Sequence, residues 1–137
     1  MPEIAVDPFL MQDAILNFAL DDYAAAVSSA TLTPTAANVT WKGLKPAAVF
    51  TFAAAATWTL DLEYAQDWET ANSLAQYLYL HEGETIAATL TPQDGLGQAW
   101  AVNVIITPGA VGGAVDTVAV GSVSLGVKGR PVASDVA

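Results

Sequence analysis

Hydrophobic and polar residues alternate strictly between Trp58 and Tyr64, and the period then changes. One face of this predicted strand carries Trp58, Leu60, Leu62 and Tyr64, and the other carries Thr59, Asp61 and Glu63. Further along, apolar residues recur at three- and four-residue spacing, at Trp68, Ala71, Leu74, Ala75 and Leu78. This spacing predicts a helix from about residue 68 to residue 81, with Asp67 as N-cap and Gly83 just past its end.

Strand patterns dominate the rest of the chain. The predicted strands cover residues 14–20, 23–33, 47–56, 84–91, 98–107 and 115–127. Pro34 predicts a sheet edge or a bend, because proline cannot donate to a strand ladder. Sequential strands joined by tight turns, with one helix, predict a mainly β fold: an antiparallel β-sandwich or half-barrel. We expect a single domain over residues 1–137, with extended arms at about residues 1–10 and 128–137.

The charge balance narrows the function classes. Fourteen acidic residues stand against four basic ones in 137 residues, for a formal net charge of -10. Direct nucleic-acid binding is therefore disfavoured, although a negative wall would let nucleic acid pass without sticking. Only 13% of residues are charged and the mean hydropathy is +0.41. So apolar a chain predicts burial in an assembly or contact with a membrane. The longest uncharged run, residues 95–115, lacks the ~20 continuous apolar residues of a spanning helix, which favours assembly.

The residues that usually carry catalysis are sparse. His81 is the only histidine, and we expect it to cap the helix C-terminus. With one histidine and no cysteine, the chain cannot build the usual zinc sites. Asp61 and Glu63 share a strand face, where they could act as acid and base, bind a hard cation, line a channel or face solvent. No third functional group converges on them in sequence, so we expect no enzyme activity, no cofactor and no metal.

Residues 35–45 read as a loop with strand character. Trp41 stands there beside Lys42 and Lys45, which are half of the basic residues. A tryptophan on a loop is either an interface anchor or a cap on the domain's own core.

An ordered set of short motifs now points to a family. They are Trp41-Lys-Gly-Leu-Lys-Pro, Trp58-Thr-Leu-Asp-Leu-Glu-Tyr-Ala-Gln-Asp-Trp, the helix ending Leu78-Tyr-Leu-His-Glu-Gly, the strand ending Thr91-Pro92, the turn Pro108-Gly-Ala-Val-Gly-Gly and the closing Gly129-Arg-Pro. Over roughly residues 23–131 the chain resembles the major tail tube proteins of long-tailed, non-contractile bacteriophages, particularly those infecting actinobacteria.

The resemblance implies a β-sandwich flanked by one helix. It implies homohexameric rings that stack into a tube, through which DNA passes without specific binding. The implied partners are other copies of the chain, a tail terminator, a tape measure protein and a distal tail protein, with no membrane binding. The implied location is the virion tail, assembled in the host cytoplasm.

The resemblance also implies residue roles. Thr59, Asp61 and Glu63 would face the lumen, and the opposite strand face would pack on the helix through Trp68, Leu74 and Leu78. An inter-ring loop would comprise Trp41, Lys42, Leu44 and Lys45, with the lysines meeting acids of the next ring. The terminal arms would bridge subunits.

Two alternatives remain at this point, with an enzyme third. One is another tube or connector assembly protein. The other is a monomeric β-sandwich binding module, for example for carbohydrate, which needs exposed aromatic side chains. Trp41 is its candidate, because Trp58, Trp68 and Trp100 fall on core-like faces.

Overall fold

The computed structural model describes residues 2–11, 13–19, 21–93 and 97–135. Its elements are β1 (Ile15–Phe18), β2 (Asp21–Asp22), β3 (Val27–Thr35), β4 (Asn38–Lys42), β5 (Val49–Ala53), β6 (Thr57–Ala65), α1 (Leu74–Leu80), β7 (Thr85–Thr91), β8 (Gln98–Ile105), β9 (Val120–Val127) and β10 (Val132–Asp135). Within these residues the protein is mainly β, with a single helix and antiparallel sheets, as its sequence predicts.

The main sheet has eight strands in the order β2-β1-β7-β8-β9-β6-β3, with β10 also paired to β8. Two registered pairs join β8 to β9, namely Val104 with Val127 and Ile105 with Gly126. On either side of this short join the pairing is longer: eight registered pairs link β6 to β9, and six link β7 to β8. The sheet therefore divides into two halves, an arrangement consistent with a β-sandwich.

The alternation along β6 decides what lies in the core. Leu60, Leu62 and Tyr64 are buried, with at most 3% of each residue exposed. They pack with Leu16, Phe18, Val104, Ile106, Leu125 and with Leu74, Ala75 and Leu78 of the helix. Burying a large apolar side chain contributes roughly 1.5–3 kcal/mol, so this cluster supplies most of the driving force for folding.

The helix starts later than the sequence pattern predicts. It begins at Leu74, and its N-cap is Ser73, whose side chain accepts a hydrogen bond from the Gln76 N–H. Asp67 was expected in that role but instead accepts hydrogen bonds from the N–H groups of Glu69 and Thr70, at 3.0 and 3.1 Å. The pKa of Asp67 is lowered, because its charged form accepts hydrogen bonds. The bond from the Thr70 side chain has the largest effect, and the two backbone N–H groups add to it.

Trp68 consequently lies outside the helix. Asn72 has a φ of 63°, in the left-handed region, which separates the turn at Asp67 from the helix. Trp68 is 40% exposed and donates its indole N–H to Gln66 at 3.2 Å. The predicted packing of Trp68 against the strand is therefore wrong, whereas Leu74 and Leu78 are buried on the helix's inner face.

The other end of the helix follows the sequence more closely. His81 is the C-cap residue, and its backbone N–H donates to the carbonyl of Tyr77. Its ring contacts the carboxylate of Glu84 at 2.6 Å. Gly83 has a φ of 84° just beyond the helix, which confirms its predicted position as a stop.

Three predicted segments differ from the structure. Residues 38–42, within the predicted loop, form strand β4. The last long strand begins only at Val120, after a turn in which Asp116 takes a φ of 65°. Residues 132–135, within the predicted C-terminal arm, pair with β8 as β10. Pro34, by contrast, lies in β3 at the end of the strand order, which confirms the predicted sheet edge.

Candidate functional site

A separate two-stranded sheet of β4 and β5 projects between β3 and β6. We call residues 38–53 the hairpin arm. Its register runs from Asn38 opposite Ala53 to Lys42 opposite Val49, and every residue of both strands is exposed. A backbone hydrogen bond from Ala54 to Ala37, at 2.8 Å, closes the base of the arm. The arm is thus an ordered element held mainly by its own cross-strand pairing.

One face of the hairpin arm is apolar. Val39 lies opposite Phe52, and Trp41 lies opposite Phe50 with their ring centroids 5.9 Å apart. Trp41 remains 60% exposed and Phe50 51% exposed, although the two rings contact each other. The opposite face is polar, with the hydroxyls of Thr40 and Thr51 at 3.4 Å. Because the apolar face is uncovered, Trp41 does not cap the core of its own domain.

The tip of the hairpin arm carries its charge. Lys42 ends β4, and Leu44 and Lys45 lie in the connection to β5, all three exposed. Residues 36–56 contain no acidic residue, so the arm is positive in a chain of net charge -10. The four residues expected in an inter-ring loop therefore lie together at the tip and on the apolar face.

Sequence reasoning missed half of the apolar face. It singled out Trp41 but interpreted Phe50 and Phe52 only as strand residues. The available signal was the matched alternation of Val39 with Trp41 and of Phe50 with Phe52. Paired across a short connection, these two alternations predict a hairpin with one apolar face.

A second candidate surface lies on the outer face of β3, β6 and β9. Cross-strand pairing places Thr31, Asp61 and Ser124 in one row, and Ser29, Glu63 and Ser122 in the next. The third row holds Thr33, Thr59 and Gly126. We call these three rows the hydroxyl–carboxylate strip. The residues expected to face a lumen, Thr59, Asp61 and Glu63, form its central column.

Asp61 is fixed at the centre of the strip. One carboxylate oxygen accepts a hydrogen bond from the Thr33 hydroxyl at 2.9 Å, and the other accepts one from the Ser124 hydroxyl at 2.5 Å. Each donor comes from a different neighbouring strand, so Asp61 ties β3, β6 and β9 together through side chains. Glu63, one row away, is exposed.

The polar side chains of the strip are two carboxylates and six hydroxyls. A shallow depression of about 400 Å³ on this face is lined by Ser29, Asp61, Glu63, Ser122 and Ser124, together with Leu62 and Val123. The described residues contain no group of three or more histidine, cysteine or acidic side chains placed to hold a metal ion. What the strip offers is a negative, hydroxyl-rich surface.

A glutamine that directly follows β6 was also missed. The Gln66 carboxamide donates to the carbonyls of Gly112 and Val120, and it accepts from the Gly112 N–H at 2.9 Å. It thereby positions the glycine-rich segment predicted as a turn. Gly112 and Val120 lie more than forty residues away in sequence, so no local pattern could have indicated this role.

No helix in the described part of the chain is long and apolar enough to cross a membrane. No protein-family model matches this chain, and no curated protein matches it.

Proposed function

We propose that this chain is a structural protomer that assembles with copies of itself into stacked rings, forming the tail tube of a long-tailed bacteriophage. The uncovered apolar face of the hairpin arm is the observation that carries the proposal. Val39, Trp41, Phe50 and Phe52 form a continuous patch that the described part of the protomer leaves at least half exposed. Covering such side chains contributes about 25 cal/mol for each Å² removed from water, so the arm gains most when a partner packs against it.

Self-association is favoured over a foreign partner by the composition of the whole chain. Among the described residues twenty large hydrophobic side chains are exposed, most of them on the N-terminal segment, the arm and the β8–β9 segment. Apolar surface distributed so widely suits a protomer that is covered on several sides. The resemblance of the ordered motifs to tail tube proteins directs the proposal to a tube of homohexameric rings.

In this proposal the hydroxyl–carboxylate strip lines the channel. Asp61 and Glu63 make the strip negative, and the serine and threonine hydroxyls make it hydrophilic. A negative wall repels the phosphate backbone, so DNA passes through without specific binding. The chain would then reside in the virion tail, after assembly in the host cytoplasm beside terminator, tape measure and distal tail proteins.

The test compares two positions on opposite faces of the hairpin arm. Purified wild-type protein should form rings or tubes, visible by negative-stain microscopy and as fast-sedimenting species. Trp41→Ala should strongly reduce assembly but lower the free energy of unfolding by only about 0.5–1.5 kcal/mol, the value of an aromatic pair such as Trp41 with Phe50. Thr40→Ala, on the polar face, is the matched control and should assemble normally.

Two outcomes would contradict the proposal. Wild-type protein that sediments as a sharp monomer at high concentration would exclude a tube-forming protomer. Equal assembly by Trp41→Ala and wild-type protein would show that the apolar face is not the contact.

The exposed pair of Trp41 and Phe50 also favours a second candidate, a monomeric binding module that stacks sugar rings on aromatic side chains. That module would remain monomeric, and its binding to a glycan array would be lost in Trp41→Ala. Sedimentation of the wild-type protein therefore separates the two candidates before any ligand is known.

A further inference from the structure

The open edge of β3 has a stretch without the protection that sheet edges usually carry. β3 ends the strand order and, within the described residues, pairs with β6 alone. Its nine residues carry no charge. A register shift between Val27 and Ser29 interrupts one end of the strand, and Pro34 lies near the other. Residues 30–33 between them have no bulge, proline or charged side chain, the devices that commonly keep an edge from pairing with other chains.

A cavity follows this edge. It has a volume of about 340 Å³ and is lined by five consecutive β3 residues, 27–31. Successive side chains of a strand point to opposite faces, so a cavity that meets five residues in a row lies along the edge rather than on one face. Leu16 of β1 and Leu90 of β7 also line it. The cavity therefore marks an open seam between the two halves of the sheet.

The segment that precedes β1 lies against this seam. We call residues 7–11 the N-terminal strap. Met11 lines the cavity, and together with Phe9 it also lines an adjoining depression of about 250 Å³. Residues 30–32 of β3 and Trp100 of β8 line the same depression. The strap thus reaches the stretch of β3 that has no other protection.

Side chains alone hold the strap in place. With the other described residues, the strap makes no backbone hydrogen bond. Phe9 is 53% exposed and Met11 47% exposed, whereas Leu10 between them is 73% exposed and lines neither space. A segment held by two half-buried side chains opens and closes easily.

The strap has the composition of a cover rather than of a strand. Pro8 lacks the N–H that a strand ladder needs, and Asp7 adds a charge beside it. The strap can therefore lie along the edge of β3 without presenting a new edge to other chains.

We infer that the N-terminal strap is a cis-acting cover for the open edge of β3, and that it must move away before this edge can pair with a strand of another copy. A closed strap leaves only a fraction of free protomers competent to associate, and the apparent affinity of association falls by that fraction. The inference goes beyond the proposed function, because it concerns when a protomer associates rather than what it builds.

The first test measures the closed strap in the free protomer. Phe9→Ser with Met11→Ser removes the two side chains that line the seam, and Leu10→Ser is the matched control. In dilute, monomeric protein, acrylamide should quench tryptophan fluorescence more strongly in the double variant than in wild-type or control protein, because Trp100 then faces a wider opening. The difference should vanish in a Trp100→Phe background, and circular dichroism should show the same fold throughout.

The second test measures self-association by sedimentation velocity. With about nine of ten straps closed, the double variant should associate at a roughly tenfold lower concentration than wild-type protein. Leu10→Ser should match wild-type protein. Serine removes apolar surface, so non-specific hydrophobic association does not explain a lower concentration. Bridging between subunits, which the family resemblance implies for this segment, predicts a higher concentration instead.

The outcomes separate this inference from the proposed function. Equal quenching in the double variant and wild-type protein, or an equal or higher concentration for association, would show that the strap is not a cover, and a ring-forming protomer would stand. Wild-type protein that never forms rings would contradict the proposed function alone, because quenching and the onset of association in the double variant still report on the strap.

Discussion

Gly121 in β9 tests how tightly the core is packed behind the sheet. It pairs with Tyr64 of β6, whose side chain is buried against it. A Cβ added at Gly121 would lie 2.8 Å from Cζ and 2.9 Å from the hydroxyl of Tyr64, closer than carbon and oxygen atoms tolerate. The ring has little freedom to move away, because only 1% of Tyr64 is exposed and Gly109 approaches its hydroxyl from another side.

The size of the effect follows from two opposing contributions. Overpacking a filled core costs about 1–3 kcal/mol. Alanine gives back about 0.5–1 kcal/mol, because it loses less backbone freedom on folding than glycine does. Gly121→Ala should therefore destabilise the protein by up to about 2.5 kcal/mol, with the middle of these ranges at about 1 kcal/mol. For a chain of this length that lowers Tm by roughly 3–5 °C for each kcal/mol.

The same strand supplies the control. A Cβ at Gly126 meets no atom within 4 Å, so Gly126→Ala should be neutral or slightly stabilising. Urea unfolding followed by circular dichroism measures both variants. In a Tyr64→Leu background the cost of Gly121→Ala should shrink, since the contacted ring is gone. Equal stability of the two glycine variants, or an unchanged cost without the ring, would refute the packing argument.

Two further changes test the strip and the helix start, both by urea unfolding. Asp61→Ala removes the acceptor of two hydroxyl hydrogen bonds, from Thr33 and Ser124, and should lower the free energy of unfolding by about 1–3 kcal/mol. Glu63→Ala, on the same face, is the control and should change it by no more than about 0.5 kcal/mol. An equal loss in the two variants would show that the bonds of Asp61 do not contribute. Ser73→Ala should cost about 0.5–2 kcal/mol by removing the N-cap. No loss at Ser73 would indicate a helix that begins earlier, as the three- and four-residue spacing predicts.

The strands and the core were predicted correctly where a short stretch of sequence has one apolar face and one polar face. In β6 the alternation of Leu60, Leu62 and Tyr64 with polar residues is consistent with only one buried face. The fold class follows from several such strands separated by turn residues. These patterns hold because the same pairing that forms the sheet also buries one face of it.

The predicted start of the helix was wrong for a local reason that hydrophobic periodicity cannot show. Judged by spacing alone, Trp68 and Ala71 belong to the apolar face of the helix. Asp67 instead bonds the two N–H groups that follow it, and Asn72 adopts a left-handed backbone conformation that a helix cannot include. Asparagine is among the few residues that take this conformation readily, so its side-chain chemistry outweighed the apolar spacing.

The apolar face of the hairpin arm was missed for the opposite reason. Its alternation was readable, but an apolar face in sequence looks the same whether its own domain or a neighbour covers it. That distinction depends on the tertiary fold: β3 and β6, which flank the arm in sequence, pair with each other and leave the arm outside the main sheet. Gln66 belongs to the same class, because its bonds to Gly112 and Val120 arise only from the tertiary fold.

A net charge of -10 would oppose self-assembly if the charge were spread evenly over the surface. At physiological ionic strength the Debye length is about 8 Å, so charges farther apart than this scarcely affect one another. Repulsion between two copies therefore depends on the groups that face each other across a contact. The hairpin arm carries Lys42 and Lys45 and no acidic residue, so a contact made through it does not bring like charges together. In the proposed tube, the negative strip on β6 would line the channel, where its repulsion of DNA is useful.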